Sequence, residues 1–258
     1  MEKILGTCFL SVIPMRAQAS HKAEMISQLL FGETFEILEK QDEWVYIKNT
    51  YDDYMGWVEE KQIIYIKALE PETEKVTSAF GVSVVKQDTD NKSILPLGAT
   101  LPFSENNGLK IGDIPYDTAD TNDVVEPQST AFREEVLRVA KQFIDVPYLW
   151  GGRTHFGIDC SGFSQIVYKV FGIKIKRDAW QQAEEGKLVA FLSEAQTGDL
   201  AFFDNEEGRI THVGIMINNS LIIHASGRVK IDLIDDYGIF SSDLKQYSHK
   251  LRIIKRFI

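Results

Sequence analysis

The sequence is poor in cysteine. Its 258 residues hold two, Cys8 and Cys160, too few for a disulfide framework, and no C-x-x-C or Cys/His cluster has zinc-binding spacing. One Cys8–Cys160 bridge is the only pairing available, but the residues around Cys160 favour a free thiol, which fits a reducing compartment. Positive charge is also scarce: 28 Lys and Arg stand against 38 Asp and Glu, for a formal net charge of −10. That argues against nucleic acid as a partner, because displacing counterions from phosphates needs a basic surface. It argues equally against electrostatic docking on an anionic membrane. No stretch approaches the ~20 apolar residues of a membrane span. Residues 1–19 resemble a signal peptide ending in A-Q-A only superficially. Gly6, Thr7 and Ser11 break the apolar run 4–13, and Pro14 and Arg16 sit in the wrong place for one. The segment is read as a first β-strand and the protein as cytoplasmic, with export as the alternative if the segment is cleaved.

What is present is an ordinary globular composition, 44% apolar and 26% charged, enough for a sizeable core. Residues 1–67 read as all-β. Runs at 34–38, 44–48 and 55–58 are rich in β-branched and aromatic residues, and polar breaks at 40–43 and 49–53 separate them. Five short strands in this length predict a small barrel. Residues 68–75, polar and containing Pro71, read as a linker. Residues 76–118 carry a weaker β pattern and read as a second barrel of the same kind, although no internal repeat is visible. The acidic stretch 117–129 reads as a second linker.

From residue 129 the pattern changes. Val136, Val139, Ala140 and Phe143 share one face of a helix predicted over 131–144, capped by Ser129 or Thr130. A Gly-rich loop follows, then a helix over 161–171, then strand-like runs at 199–203, 212–217, 221–224 and 251–258. A helix followed by antiparallel strands is an α+β order.

Cys160 sits at the predicted start of a helix, where the dipole and free backbone N–H groups stabilise a thiolate. Its own N–H is placed to help form an oxyanion hole. An isolated cysteine is more often a small buried hydrophobe, but the neighbours reverse that reading here. His212 opens one predicted strand and His224 ends the next, so adjacent antiparallel strands bring the two imidazoles together. One takes the thiol proton and a second polar group orients it. His21, His155 and His249 lie in polar, loop-like surroundings and receive no role.

The series D-C-S-G-F at 159–163, T-G-D-L-A-F-F at 197–203, T-H-V-G-I at 211–215 and H-A-S at 224–226 resembles the NlpC/P60 family of papain-like cell-wall peptidases, across residues 129–258. S-V-I-P-M-R at 11–16, A-E-M-I-S-Q-L-L-F-G-E at 23–33 and G-W-V at 56–58 resemble the bacterial SH3-like domain of its dipeptidyl-peptidase VI subgroup. The resemblance implies two SH3-like barrels, at 1–67 and 76–118, before a papain-like domain at 129–258. It implies Cys160 as nucleophile, His212 as base and His224 as the group that orients it, with no metal or organic cofactor. The implied substrate is a muropeptide, L-Ala-γ-D-Glu-diamino acid, cut at the γ-D-glutamyl bond and carrying a free N-terminal L-Ala.

The resemblance further assigns Glu24 to pairing with the substrate ammonium; the alternative is a solvated surface charge. Tyr54 adds a hydroxyl contact. Tyr148 and Trp150 match cleft-lining aromatics, although aromatics beside glycines also simply pack a loop. Asp159 and Ser161 match substrate-contacting positions and equally suit helix caps. The family pattern is broken at Ala179, where close relatives carry Ser, which implies a lost or replaced hydrogen bond to substrate. Two other functions stand beside this one: a broader wall hydrolase anchored to murein by its SH3-like domains, and a muropeptide-binding protein without catalysis.

Overall fold

The computed structural model describes residues 3–67, 73–103, 108–118 and 122–258. They belong to two units, Met1–Pro127 and Gln128–Ile258. In the first unit, short runs of alternating burial form β1 (Ile4–Cys8), β2 (Val12–Arg16), β3 (Met25–Leu30), β4 (Thr34–Gln41), β5 (Trp44–Asn49), β6 (Met55–Glu59) and β7 (Ile63–Ile66). They form one antiparallel sheet in the order β3-β2-β6-β5-β4-β1-β7, closed over Cys8, Ile13, Met15, Leu29, Phe35, Val45 and Ile47. The run 4–13, expected as one strand, is therefore two. The break at 9–11 lets Cys8 O accept from Gly32 N at 2.8 Å and Ser11 O from Phe31 N at 3.2 Å.

The second sheet comprises β8 (Thr73–Thr77), β9 (Val82–Lys86), β10 (Lys92–Leu95), β11 (Thr100–Phe103), β12 (Leu109–Ile111), β13 (Ile114–Thr118) and β14 (Val124–Val125). Its order, β10-β9-β13-β12-β11-β8-β14, is that of the first sheet advanced by seven strands. This shared topology left no trace as a sequence repeat. Both expected linkers differ from what is found. Residues 68–72 lie outside the described residues, and from Thr73 the chain is already strand. The stretch 117–129 contains β14, whose Val124 and Val125 pair with Thr77 and Val76. Phe31, from the turn after β3, is buried in the core of this second sheet, and its carbonyl accepts from Thr100 N at 2.9 Å.

The second unit opens with α1 (Phe132–Lys141), which buries Phe132, Val136, Val139 and Ala140 at helical spacing. Neither Ser129 nor Thr130 caps it. Both lie in a 3₁₀ turn that feeds the helix, and Ala131 holds the N-cap position without a side-chain bond. A two-stranded ribbon, β15 (Arg153–Thr154) and β16 (Gly157–Ile158), precedes α2 (Cys160–Lys169). All ten residues of α2 are buried. Then come α3 (Ala179–Glu184), β17 (Lys187–Val189), β18 (Leu200–Asp204), β19 (Ile210–Met216), β20 (Leu221–Ser226), β21 (Arg228–Ile234), β22 (Gly238–Ser241) and β23 (Gln246–Arg256). Their sheet runs β17-β23-β18-β19-β20-β21-β22, and β22 returns to pair with β23, which closes it. Helix α2 packs on β19 and β20. That contact sets the cysteine against the histidine strands.

Candidate active site

Asp159 holds the N-cap position of α2 with extended backbone, φ −92° and ψ 174°, and its Oδ1 accepts from Gly162 N at 2.6 Å. Gly162 is required there. A Cβ would lie 2.4 Å from Gly152 O and 3.0 Å from Asp159 Oδ1, so any side chain would push the cap and the Gly-rich loop apart. Arg177, 1% exposed, closes the other side of the carboxylate. Its two terminal nitrogens donate to Asp159 Oδ2 at 2.6 Å and Oδ1 at 3.0 Å, and one also donates to Ser161 Oγ at 3.0 Å. Gly151 N donates to Asp159 Oδ2 at 2.9 Å. Asp159 and Ser161, both proposed from sequence as substrate contacts, are thus brought together with Arg177 in one buried network. No local feature of the sequence marks Arg177 for this role; its segment departs from the family pattern at Ala179.

Cys160, the first residue of α2, is buried with its Sγ 4.0 Å from the carbonyl of Thr211, next to His212 in the chain. Burial pushes its thiol up to about 12, and the Asp159 charge acts in the same direction. Bonds from the backbone of Val213 and Ser161 and the charge of Arg177 oppose this and lose. The helix start was expected to favour the thiolate; burial outweighs the backbone N–H bonds that act in that direction. The resting group is a thiol that needs a base.

The histidine side is built across three strands. Gly214 of β19 pairs with His224 of β20, while Ile222 and His224 of β20 pair with Asp232 and Lys230 of β21. Diagonal neighbours on one sheet face come within reach of long side chains, so His212, His224 and Asp232 form an oblique line across the sheet. His212 Nε2 lies 2.8 Å from His224 Nδ1, and His224 Nε2 lies 3.1 Å from Asp232 Oδ2. All three are buried. The glycine of H-V-G follows from this packing, because a Cβ on Gly214 would stand 2.9 Å from His224 Cβ and 2.7 Å from Ile222 Cδ1. Burial lowers the pKa of His212 well below its usual value, with His249 and His224 adding to the effect. Burial likewise lowers that of His224, against the pull of Asp232. Burial works to raise the Asp232 carboxyl, but bonds from His224 and Ser242 outweigh it and hold the group well below the usual carboxylate range.

His249 joins this cluster. It lies on β23, not in a loop, and its ring stacks on His212 with centroids 4.0 Å apart at 23°. The polar run Q-Y-S-H-K hid the strand because little of it is buried. The three histidines offer nitrogen atoms within 4.8 Å of one another. However, imidazole lone pairs lie in the ring plane, and two near-parallel stacked rings do not aim theirs at a common point, so this arrangement does not fit a metal centre.

The remaining predicted residues are spread more widely. Tyr148 pairs with Ile158, and its N donates to Gly227 O at 2.9 Å. Burial raises its phenol, and the charges of Cys160 and Asp159 raise it further, which sets it in the field of Cys160. Trp150 is 62% exposed. Glu24, exposed, and Tyr54, packed on the core of the first sheet, belong to the N-terminal unit. His155 lies in the turn between β15 and β16 and stacks on Phe143 at 4.2 Å, while His21 is exposed in a turn and packs edge-on to Trp44.

Known proteins share both halves of this pattern. The NlpC/P60 family matches residues 145–247, and the bacterial dipeptidyl-peptidase Sh3 domain matches residues 15–63. A gamma-D-glutamyl-L-lysine dipeptidyl-peptidase of Bacillus subtilis (strain 168) is 31% identical over 214 residues, 77% of this chain and 71% of that protein. Dipeptidyl-peptidase 6 of Lysinibacillus sphaericus is 27% identical, over 88% of this chain and 91% of that one. The crystal structure of an NlpC/P60 family protein from Bacillus cereus ATCC 10987 has the same fold, with a TM-score of 0.83 at 19% identity, covering 98% of this chain and 99% of that one. The family match spans the cysteine at the head of α2 and the strands carrying His212, His224 and Asp232. With an SH3-like domain ahead of it, the chain belongs to the NlpC/P60 family and is a cysteine peptidase.

Proposed function

We propose that the chain hydrolyses the γ-D-glutamyl–L-diamino acid bond of short peptidoglycan stem peptides that carry a free N-terminal L-Ala, in recycling of murein fragments. The observation that carries this reading is the buried line His212–His224–Asp232 beside a cysteine at a helix start. The name of the Bacillus subtilis relative, a gamma-D-glutamyl-L-lysine dipeptidyl-peptidase, supports the choice of bond.

Cys160 gives its proton to His212 as its sulfur attacks the γ-carbonyl carbon. Burial disfavours either charge alone, so thiolate and imidazolium form together, each compensating the other. The oxyanion is met by backbone N–H at the start of α2. His212 then protonates the leaving amine of the diamino acid. Water, deprotonated by His212, attacks the thioester carbonyl and releases the L-Ala-D-Glu portion. His224 orients His212.

Glu24 pairs with the substrate ammonium and Tyr54 adds a hydroxyl contact; the Sh3-domain match over residues 15–63 includes both. Tyr148, Trp150, Asp159 and Ser161 line the subsite around the cysteine, the last two through the geometry that Arg177 imposes. The second sheet is a second SH3-like barrel, a reading supported by its identical strand order. The protein acts in the cytoplasm. The two free thiols support this reading.

The test is mass spectrometry of the protein incubated with L-Ala-γ-D-Glu-diaminopimelate and with its N-acetylated analogue. Cleavage of the free-amine peptide alone is expected. Cleavage of both removes the amine-reading role of Glu24. Release of fragments from intact sacculi would favour a wall hydrolase held to murein by its SH3-like domains.

A further inference from the structure

We propose that Asp232 is a positioning residue that fixes the proton pattern of the histidine pair and makes Nδ1 of His212 the atom that receives the thiol proton. The inference rests on the reading of Cys160 and His212 as nucleophile and base, and it adds the residue that sets which nitrogen is free.

An ionised carboxylate only accepts hydrogen bonds. Asp232 Oδ1 takes the N–H of Ser242 at 2.9 Å, and Lys230 Nζ stands 3.2 Å from Oδ2. The carboxylate is therefore held in its charged form from β21 and from the residue that follows β22. His224 Nε2, 3.1 Å from Oδ2, then carries the proton of that bond. A neutral imidazole has one N–H, which leaves a lone pair on His224 Nδ1. The 2.8 Å contact from that lone pair requires His212 Nε2 to be the donor. By the same count, His212 keeps its lone pair on Nδ1.

The other charged and titratable groups around the pair leave this order intact. His249 meets the face of the His212 ring, and its own Nδ1 bonds Ser248 Oγ at 2.8 Å. Lys230 is shared with Asp243 at 3.0 Å. Arg228 is bound to Asp145 and Asp243. None of them supplies another acceptor to His224 Nε2. With Asp232 removed, His224 is free to take the opposite tautomer. Its Nδ1–H would then face His212 Nε2, and His212 would hold its proton on Nδ1, where it cannot accept another.

Two measurements test this. The first is the ¹⁵N spectrum of the imidazoles in Cys160→Ala protein with Asp232 intact. Both His212 and His224 are expected as Nε2–H tautomers; a proton on Nδ1 of His212 overturns the proposal whatever the kinetics. The second is turnover of Asp232→Asn and Asp232→Glu in the otherwise native chain. The Asn variant is expected to lose kcat by about 10²–10⁴-fold with KM nearly unchanged, the range by which a mispositioned general base lowers turnover. Its tautomers should switch, and Glu should recover part of the rate. A rate loss that only follows a lowered melting temperature, with unchanged tautomers, assigns Asp232 a structural role and overturns the proposal. If Asn prevents folding, the Glu variant and the first spectrum still decide. Turnover by Cys160→Ala would defeat the nucleophile reading separately, without touching the tautomer result.

Discussion

The helix side and the sheet side of the catalytic unit hold their groups by different means. On the helix side, Asp159, Cys160, Ser161 and Gly162 are consecutive, and one buried ion pair to Arg177 locks them. On the sheet side, His212, His224, Asp232 and His249 come from four strands and are held by register, ring stacking and two hydrogen bonds. The helix side is a charged knot in which a lost partner leaves a buried ion. The sheet side is a chain of neutral rings ending in one carboxylate, where a lost member changes proton positions more than stability.

The largest effect tests whether the two sides act as one centre. Cys160→Ala is expected to lower turnover of the tripeptide by at least about 10³-fold while the melting temperature stays near that of the native chain. Activity near the native level would disconnect the sides. The next prediction isolates the helix side. Arg177→Met strands the Asp159 carboxylate in the interior and should cost about 3–5 kcal/mol in denaturant unfolding, and adding Asp159→Asn should recover part of it. A single variant as stable as the native chain would show that the pair is not a lock.

A smaller effect isolates the sheet side. Gly214→Ala drives a methyl against His224 Cβ, with a stability cost of about 1–3 kcal/mol from overpacking. The kcat loss should exceed what the folded fraction explains, because the pair distance changes. Equal losses would make Gly214 a packing residue only. The smallest effect is on acid stability. Burial holds His155 and His249 at about 4, whereas both take protons near their ordinary value of 6.5 once unfolded. The unfolded state therefore binds more protons between pH 6.5 and 4, and stability falls as pH drops through that window. Calorimetry should show the melting temperature falling there, with a shallower slope for His249→Phe. An unchanged slope would remove His249 from the account.

The helix side was the easier to read because its information is contiguous: a cap, a cysteine and a glycine in four residues. Arg177 was missed because its partner lies 18 residues away and nothing local marks it as buried. His212 and His224 were legible because each sits at the end of an apolar run, whereas Asp232 and His249 sit in strands of mixed polarity. In the N-terminal unit the first barrel showed clear strand runs. The second sheet has the same strand order with weaker alternation, so the likeness emerged only from pairing.

The sequence by itself determined the α+β order of the second unit, the cysteine at a helix start and the strands that carry two histidines, because local periodicity and caps encode these. Tertiary structure decided the rest. Packing of α2 on the sheet buried the thiol and imidazoles, and that burial pushes the thiol up and the imidazoles down. Strand register chose Asp232 and His249 as neighbours. Desolvation and hydrogen-bond direction depend on groups distant in the chain, and only the closed fold brings those together.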